Sequence, residues 1–322
     1  MRRLHLFEWE DQPWLPRPVR DIITEQLQYT HREPMRRPVN AAIAARLQGL
    51  LARTGATRIV DLCAGGGGPL LEVHPLLAAD ERIEVCLTDR FPNVAAFRAI
   101  VDRSGGRIQA SETPVDATDV PGHLHGVRTL FTAFHHFRPD TARAILADAV
   151  QKRAPIAIFE PLERRAGMLV MLFAVSLVRG FTHTHRLGRM NGGRFFWTYV
   201  VPLAPVAFAW DGLVSALRTY TPRELAGLAA EAGTSRFAWE AGRFYTDGPY
   251  GRMPTTYLVG YPSDGGHVTV EDEAENRAGL LGRGRSWVEG AGIPLAERKV
   301  ALSATFRRVS LWATRQKSRK SA

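Results

Sequence analysis

The sequence predicts an α/β fold, a doubly wound and mostly parallel sheet with a C-terminal antiparallel hairpin and an apolar helical insertion. Three observations predict it. An apolar strand-like run, Arg58–Asp61, ends in an acid and enters Gly65–Gly68, after which an apolar helical stretch starts near Pro69. Further short apolar runs follow at regular distances, and each ends in polar or acidic residues: Ile83–Asp89, Gln109–Asp119, Thr129–Phe137 and Ile156–Glu160. Finally, two aromatic and β-branched runs, Phe237–Phe244 and Thr255–Tyr261, are joined by a Gly/Pro-rich turn and read as a hairpin.

The glycine turn comes first. A strand that turns through glycines into a helix lets the backbone approach a ligand closely. It also aims the free N–H groups of the helix, and the positive end of its dipole, at that ligand. The dinucleotide fingerprint G-x-G-x-x-G fails, because its third glycine would fall at Leu70. A tight turn with no ligand is the plainer alternative. The next run ends at Asp89, placed as a carboxylate that accepts hydrogen bonds from ribose hydroxyls. The third run carries Asp116 and Ala117, and the fourth ends in His135 and His136. A helix is expected over Pro139–Lys152, then a fifth strand ending at Glu160. Thr221 as N-cap, Pro222, Glu224 and Gly233 bound a further helix. Asp61, Asp89, Asp116, His135 and Glu160 are all expected at carboxyl ends of strands, the edge that forms the ligand crevice in open α/β sheets.

Asp61, Gly65 and Gly67 match D-x-G-x-G-x-G, and the stretch resembles the first motif of class I S-adenosylmethionine-dependent methyltransferases. Cys63 stands where the first glycine of that pattern falls. The resemblance covers Arg36 to Pro262 and implies a Rossmann-like sheet closed by an antiparallel pair. It implies S-adenosyl-L-methionine as cofactor, held by Asp61, Cys63, Ala64, Gly65 and Gly67 in the turn. Asp89 is expected at the ribose and Asp116 with Ala117 at the adenine, and Arg90 and Phe134 are counted among the cofactor-binding residues. Leu6–Pro16, taken with Trp210–Tyr220, is similar to a group of bacterial methyltransferases to which no substrate attaches.

A methyl transfer from a sulfonium needs a nucleophile held in line and, for oxygen, nitrogen or carbon nucleophiles, a base. His135, His136 and Glu160 are the titratable groups expected beside the methyl. Neighbours in a strand point to opposite faces, so only one histidine should face the crevice unless the strand has ended. His135 is preferred as base and His136 is its rival. Glu160 would orient a histidine or hold the donor's amine. A satisfied core histidine is the alternative role for either ring. Trp210, Asp211, Arg218 and Tyr220 are candidates for the substrate rim. The leading expectation is transfer to oxygen or nitrogen of a small, apolar acceptor. A noncatalytic protein of the same fold with an assembly or membrane-recruitment role is the alternative, and a nicotinamide oxidoreductase is disfavoured by the glycine spacing.

Residues 1–35 read as a cap, with Trp9 and Trp14 as anchors, a helix-like run Val19–Leu27, and Tyr29 and Arg37 near the crevice. The insertion at 163–220 carries two apolar runs, Met168–Val178 and Phe195–Trp210. The first is shorter than the roughly 20 residues of a bilayer span, and Pro202 and Pro205 interrupt the second. A core or dimer-forming helix pair, a lid over an apolar pocket and a patch resting on a membrane remain open readings. His183 and His185 could share one face of a strand, but no third ligand is near, so no metal is expected. Residues 263–322 turn from acidic to basic, ending in a run from Arg298 to Lys320 that suits an anionic surface or a solvated tail. Much of the net charge of +10 lies there, so nucleic acid is not an expected partner. Two cysteines, Cys63 and Cys86, point to a reduced, cytoplasmic setting, and the charged start lacks a signal-peptide core.

Overall fold

A computed structural model describes residues 1–77, 83–248 and 251–271. The basic run from Arg298 to Lys320 lies outside the described residues. The sheet has eight strands in the order β3-β2-β1-β4-β5-β7-β6-β8. These are β1 (Arg58–Asp61), β2 (Glu84–Leu87), β3 (Ile108–Ala110), β4 (Val127–Phe131), β5 (Ile156–Glu160), β6 (Phe237–Gly248), β7 (Gly251–Pro262) and β8 (Val268–Val270). Strands β1 to β5 run parallel. β7 is antiparallel to β5 and to β6, while β8 lies parallel to β6. The winding reverses between β1 and β4, and such a switch point opens a crevice at the carboxyl ends of its strands.

Period-2 side chains divide the core. On one face Ile59, Val85, Val127, Phe131 and Phe159 pack against α2 (Arg37–Thr54), α3 (Leu70–Leu77) and α4 (Val94–Ser104). On the other, Val60, Cys86, Leu130 and Ile158 pack against α5 (Pro139–Gln151) and α9 (Pro222–Ala232). Apolar side chains on both faces are what a parallel sheet covered by helices requires. α9 begins with the expected capping box, Thr221 and Glu224 each bonding the other's backbone N–H.

A third cluster joins the N-terminal segment to the insertion. Leu15, Val19, Ile22 and Ile23 pack against Ala204, Ala207 and Phe208, so α1 (Arg17–Arg32) lies on α8 (Leu203–Arg218). α6 (Ala166–Thr182) packs against α8, closest where Gly180 meets Pro205: a Cβ on Gly180 would lie 2.6 Å from the Pro205 Cβ. Between them, α7 (Gly192–Phe195) continues into a wide turn, Phe196–Val200, and the chain bends 64° before α8. Pro202 caps α8 and Pro205 falls in its first turn, where the missing N–H has no intrahelical partner to lose. Among the described residues, no single helix is long and apolar enough to cross a membrane.

Five strands differ from expectation. β4 stops at Phe131 rather than Phe137, because Thr132 takes a left-handed φ of 51° and a 3-10 turn, Phe134–His136, follows. β3 keeps only three residues. The hairpin is longer at both inner ends, and β8 adds a strand beyond Pro262.

Candidate active site

The glycine turn is a run of left-handed backbone. Cys63 (φ 57°), Gly65 (52°), Gly67 (99°) and Gly68 (47°) all sit at positive φ. Glycine adopts this at no steric cost, while a side chain costs roughly 1–2 kcal/mol. Cys63 therefore occupies a glycine conformation, at the position where the motif has its first glycine. Burial, aided by Asp89 and Asp61, pushes its thiol up to about 12, which disfavours the thiolate. A Cβ built on Gly65 or Gly68 meets nothing within 4 Å, so the outer edge of the turn is open; one on Gly67 would strike Ile100.

The acids expected around this turn are there. Asp89 Oδ2 accepts the Gly65 N–H at 2.8 Å and its Oδ1 accepts the Phe91 N–H at 2.8 Å. Asp61 is buried, accepts the Thr129 hydroxyl at 2.7 Å, and is pushed up to about 8 by that burial. Asp116 accepts the Thr118 hydroxyl and N–H and pairs with Arg90 at 3.1 Å; the Thr118 bonds hold its carboxyl below the ordinary range. Ala64 bonds Thr88 through its N–H, and Ala117 is buried beside the crevice. Gln28 of α1 donates to the Gly66 carbonyl at 3.1 Å, which lays the N-terminal helix along the turn. A narrow cavity at this edge is lined by His31, Arg36, Asn40, Pro69, Thr132 and Phe159.

Phe134 does not face this crevice. Its ring is fully buried between Phe137 and Tyr220 in the core under α5 and α9, because the 3-10 turn rotates it inward.

The same turn forms the second centre. Glu160, at the end of β5, accepts the His135 backbone N–H at 3.1 Å and the Nδ1–H at 2.9 Å. Both side chains are 3% exposed. Donation from Nδ1 leaves Nε2 as the free base, and Nε2 has no hydrogen-bond partner. Burial opposes charge on this ring, but Glu160 and then Glu8 outweigh it and raise its pKa. His136 stacks on His135 at 4.3 Å, so the strand alternation expected for the pair does not apply.

Facing Nε2 at 3.9 Å is Glu8, which the sequence did not suggest. Burial pushes Glu8 up to about 7, against the pull of His135 and Arg218. Arg218 pairs with Glu8 at 3.1 Å and donates to the Leu6 carbonyl. Asp211 accepts the Trp9 and Glu10 N–H groups, and Trp210 donates to the Phe7 carbonyl. Tyr220 bonds the Phe137 carbonyl and lies under Arg3, which itself donates to the His135 and Phe137 carbonyls. Trp210, Asp211, Arg218 and Tyr220, expected at a substrate rim, thus tie down a strap of residues 3–10 over His135. They do so because α8 returns the chain beside the 3-10 turn.

Donor atoms of Glu8, His135 and His136 lie within 4.8 Å of one another, a set that could hold a metal ion. The Arg218 guanidinium already stands 3.1 Å from Glu8 and 3.3 Å from His136 Nδ1, which supplies the balancing positive charge. His183 and His185 do not share a strand: both follow the end of α6, His183 as its C-cap and His185 in the next 3-10 turn, and His183 packs on Tyr29 at 5.5 Å.

No family model and no curated protein matches the chain. Solved structures are similar to it at low identity. The pyocyanin biosynthetic protein PhzM is 15% identical over 67% of this chain and 54% of its own, with a TM-score of 0.39. An O-methyltransferase family protein from Burkholderia thailandensis is 16% identical over 80% and 69%, at 0.38. The C52A variant of LepI, solved with S-adenosylhomocysteine and a substrate analogue, is 17% identical over 67% and 46%, at 0.41. The chain spans about half to two thirds of the length of such solved proteins. By its own strand order, with parallel β1–β5 closed by the antiparallel β7 and β6, the chain has a Rossmann-like, doubly wound α/β fold.

Proposed function

We propose that this chain is an S-adenosylmethionine-dependent methyltransferase acting on oxygen or nitrogen of a small, apolar acceptor. The observation that carries the reading is the Glu160-clamped His135, set one strand from a left-handed glycine turn at the carboxyl edge of the sheet. The residues present fit the cofactor. The open side of Gly65 admits its backbone-hugging portion, Asp89 offers a carboxylate for ribose hydroxyls, and Asp116 with Ala117 lies where an adenine would be read. Arg36, in the wall of the narrow cavity, suits an anionic end of a ligand. When bound, S-adenosylmethionine supplies an electrophilic methyl group.

The chain's own residues do the rest. Glu160 fixes the tautomer and aim of His135, and Nε2 takes the proton of the attacking oxygen or nitrogen. Glu160 is thus a positioning residue. The strap shields the base from water, which keeps its charge interactions strong. The free thiols of Cys63 and Cys86 suit the cytoplasm.

The strap also supports a second reading, in which closure over His135 makes the protein a noncatalytic assembly or recruitment factor of the same fold. Incubation with methyl-labelled S-adenosylmethionine and a panel of phenols, amines and lipophilic alcohols separates the two. Label in an organic-soluble product that His135→Ala abolishes supports the enzyme. Cofactor binding with no transfer to any acceptor class favours the second reading.

A further inference from the structure

α6 buries a mixed face and leaves its outer one apolar. Met168, Leu169, Ser176, Arg179 and Gly180 face the protein, where Leu169 packs with Ala216 and Leu217 of α8 and Arg179 pairs with Glu33, just beyond α1. Outward stand Val170, Phe173 and Val178, with exposures of 72%, 37% and 59%. No charged or hydrogen-bonding side chain interrupts that stripe between Ala166 and Val178. A helix on the surface of a water-soluble domain turns charged and polar residues outward instead. The wide turn continues the patch, with Phe195, Tyr199 and Val200 exposed at 52%, 42% and 58%. It is joined to α6 directly, because the Tyr199 hydroxyl donates to the Phe181 carbonyl at 2.9 Å. A contiguous apolar face of this kind marks a contact surface.

Charge decides the occupant. From Arg164 to Trp210 there is no Asp or Glu, while Arg165, Arg186 and Arg189 stand exposed in or beside this stretch. An apolar, aromatic-bearing face flanked by arginines is complementary to anionic headgroups over acyl chains. A second copy related by a two-fold axis would bring like charges together. No single described helix is long and apolar enough to cross, and in the bent pair Gly192–Val200 with Leu203–Arg218 the second helix is largely buried in the protein, which favours a face lying on a membrane over one passing through it. We infer that the outer face of α6 and the turn Phe196–Val200 form a monotopic docking surface for an anionic lipid bilayer. This holds whether or not the chain transfers methyl groups.

The test is flotation of the full chain with vesicles of phosphatidylcholine, with and without about one third phosphatidylglycerol. The wild-type chain should float with the anionic vesicles. The double variant Val170→Gln/Val178→Gln should lose more than about tenfold in partitioning, with an unchanged thermal midpoint. Arg186→Gln/Arg189→Gln should weaken binding to the anionic vesicles alone. Three results would overturn the inference. The wild-type chain floats with neither vesicle. Its flotation survives the Val170/Val178 change, which assigns binding to the basic residues beyond Arg298. Or sedimentation shows a dimer that the Val170/Val178 change dissociates, which assigns the face to a second copy.

Discussion

Glu160→Gln tests the chemistry of the site most sharply. In the wild-type chain one carboxylate oxygen accepts the His135 backbone N–H at 3.1 Å and the other accepts Nδ1–H at 2.9 Å. Glutamine has one acceptor oxygen, so it keeps one bond and turns an N–H₂ group toward the other donor. An unmatched donor at a site 3% exposed costs about 1–3 kcal/mol of stability. The loss for catalysis differs in kind. Glu160 is the largest influence raising the His135 pKa against burial, and without it the ring becomes a weaker base with its tautomer unfixed. A positioned base contributes roughly 10²–10⁴ in rate, so losing its orientation should lower kcat by about 10–100-fold. Because the free base is the active form, rate rises with pH until His135 is deprotonated. Lowering its pKa moves that rising limb to lower pH while the plateau falls. The assay is kcat and kcat/KM against pH at saturating cofactor, alongside the thermal midpoint. A variant with an unchanged limb and a plateau within about twofold of wild type would remove His135 from proton transfer.

Cys63→Gly should raise stability by roughly 0.5–1 kcal/mol in urea unfolding, since glycine relieves the left-handed strain at φ 57° at some cost in chain entropy; a loss of stability would show that the thiol's packing outweighs the strain. Arg218→Met should cost about 3–5 kcal/mol, because it strips the buried Glu8 of its guanidinium partner. Adding Glu8→Gln should recover about 2 kcal/mol of that, whereas strictly additive effects would mean the pair is not coupled. Stability should also fall as pH rises through neutrality. Burial lifts Glu8 from 4.5 to about 7 and Asp61 from 3.8 to about 8, so the folded chain holds protons that the unfolded chain releases. That stability is full below about pH 4 and is lost between there and about pH 8. His135, with its raised pKa, works in the same direction. For Glu8 alone the shift corresponds to about 3 kcal/mol at most. Thermal midpoints measured from acid to neutral pH should slope downward, and Asp61→Asn should flatten the slope; an identical slope in the variant contradicts the assignment.

Much of the sheet was legible because its signals are local. β1 and β5 end where their acids fall, at Asp61 and Glu160, and Thr221 with Glu224 marks the start of α9 within four residues. Asp89 was legible as a strand-end carboxylate for the same reason. What escaped depends on backbone conformation or on distant chain. Thr132 carries no glycine or proline signal, yet its positive φ ends β4 early and turns Phe134 into the core and His135 onto Glu160. Glu8 reaches His135 only because Asp211 and Arg218 pull the N-terminal strap onto α8. An acidic cluster, Glu8, Glu10 and Asp11, in an aromatic, proline-rich segment was the one visible hint. Trp210 and Asp211, candidates for the substrate rim, instead bond backbone groups of the strap, a distant partner that no local signal marks.

The central claim is that the turn between Asp61 and Pro69, with Asp89, holds a sulfonium nucleoside. Calorimetric titration of the folded chain with S-adenosylmethionine and S-adenosylhomocysteine tests it directly. The account predicts one site per chain for each, weakened about tenfold or more by Asp89→Ala, which removes the carboxylate offered to the ribose. Absence of binding heat for both nucleosides, from protein with an intact unfolding transition, would contradict it.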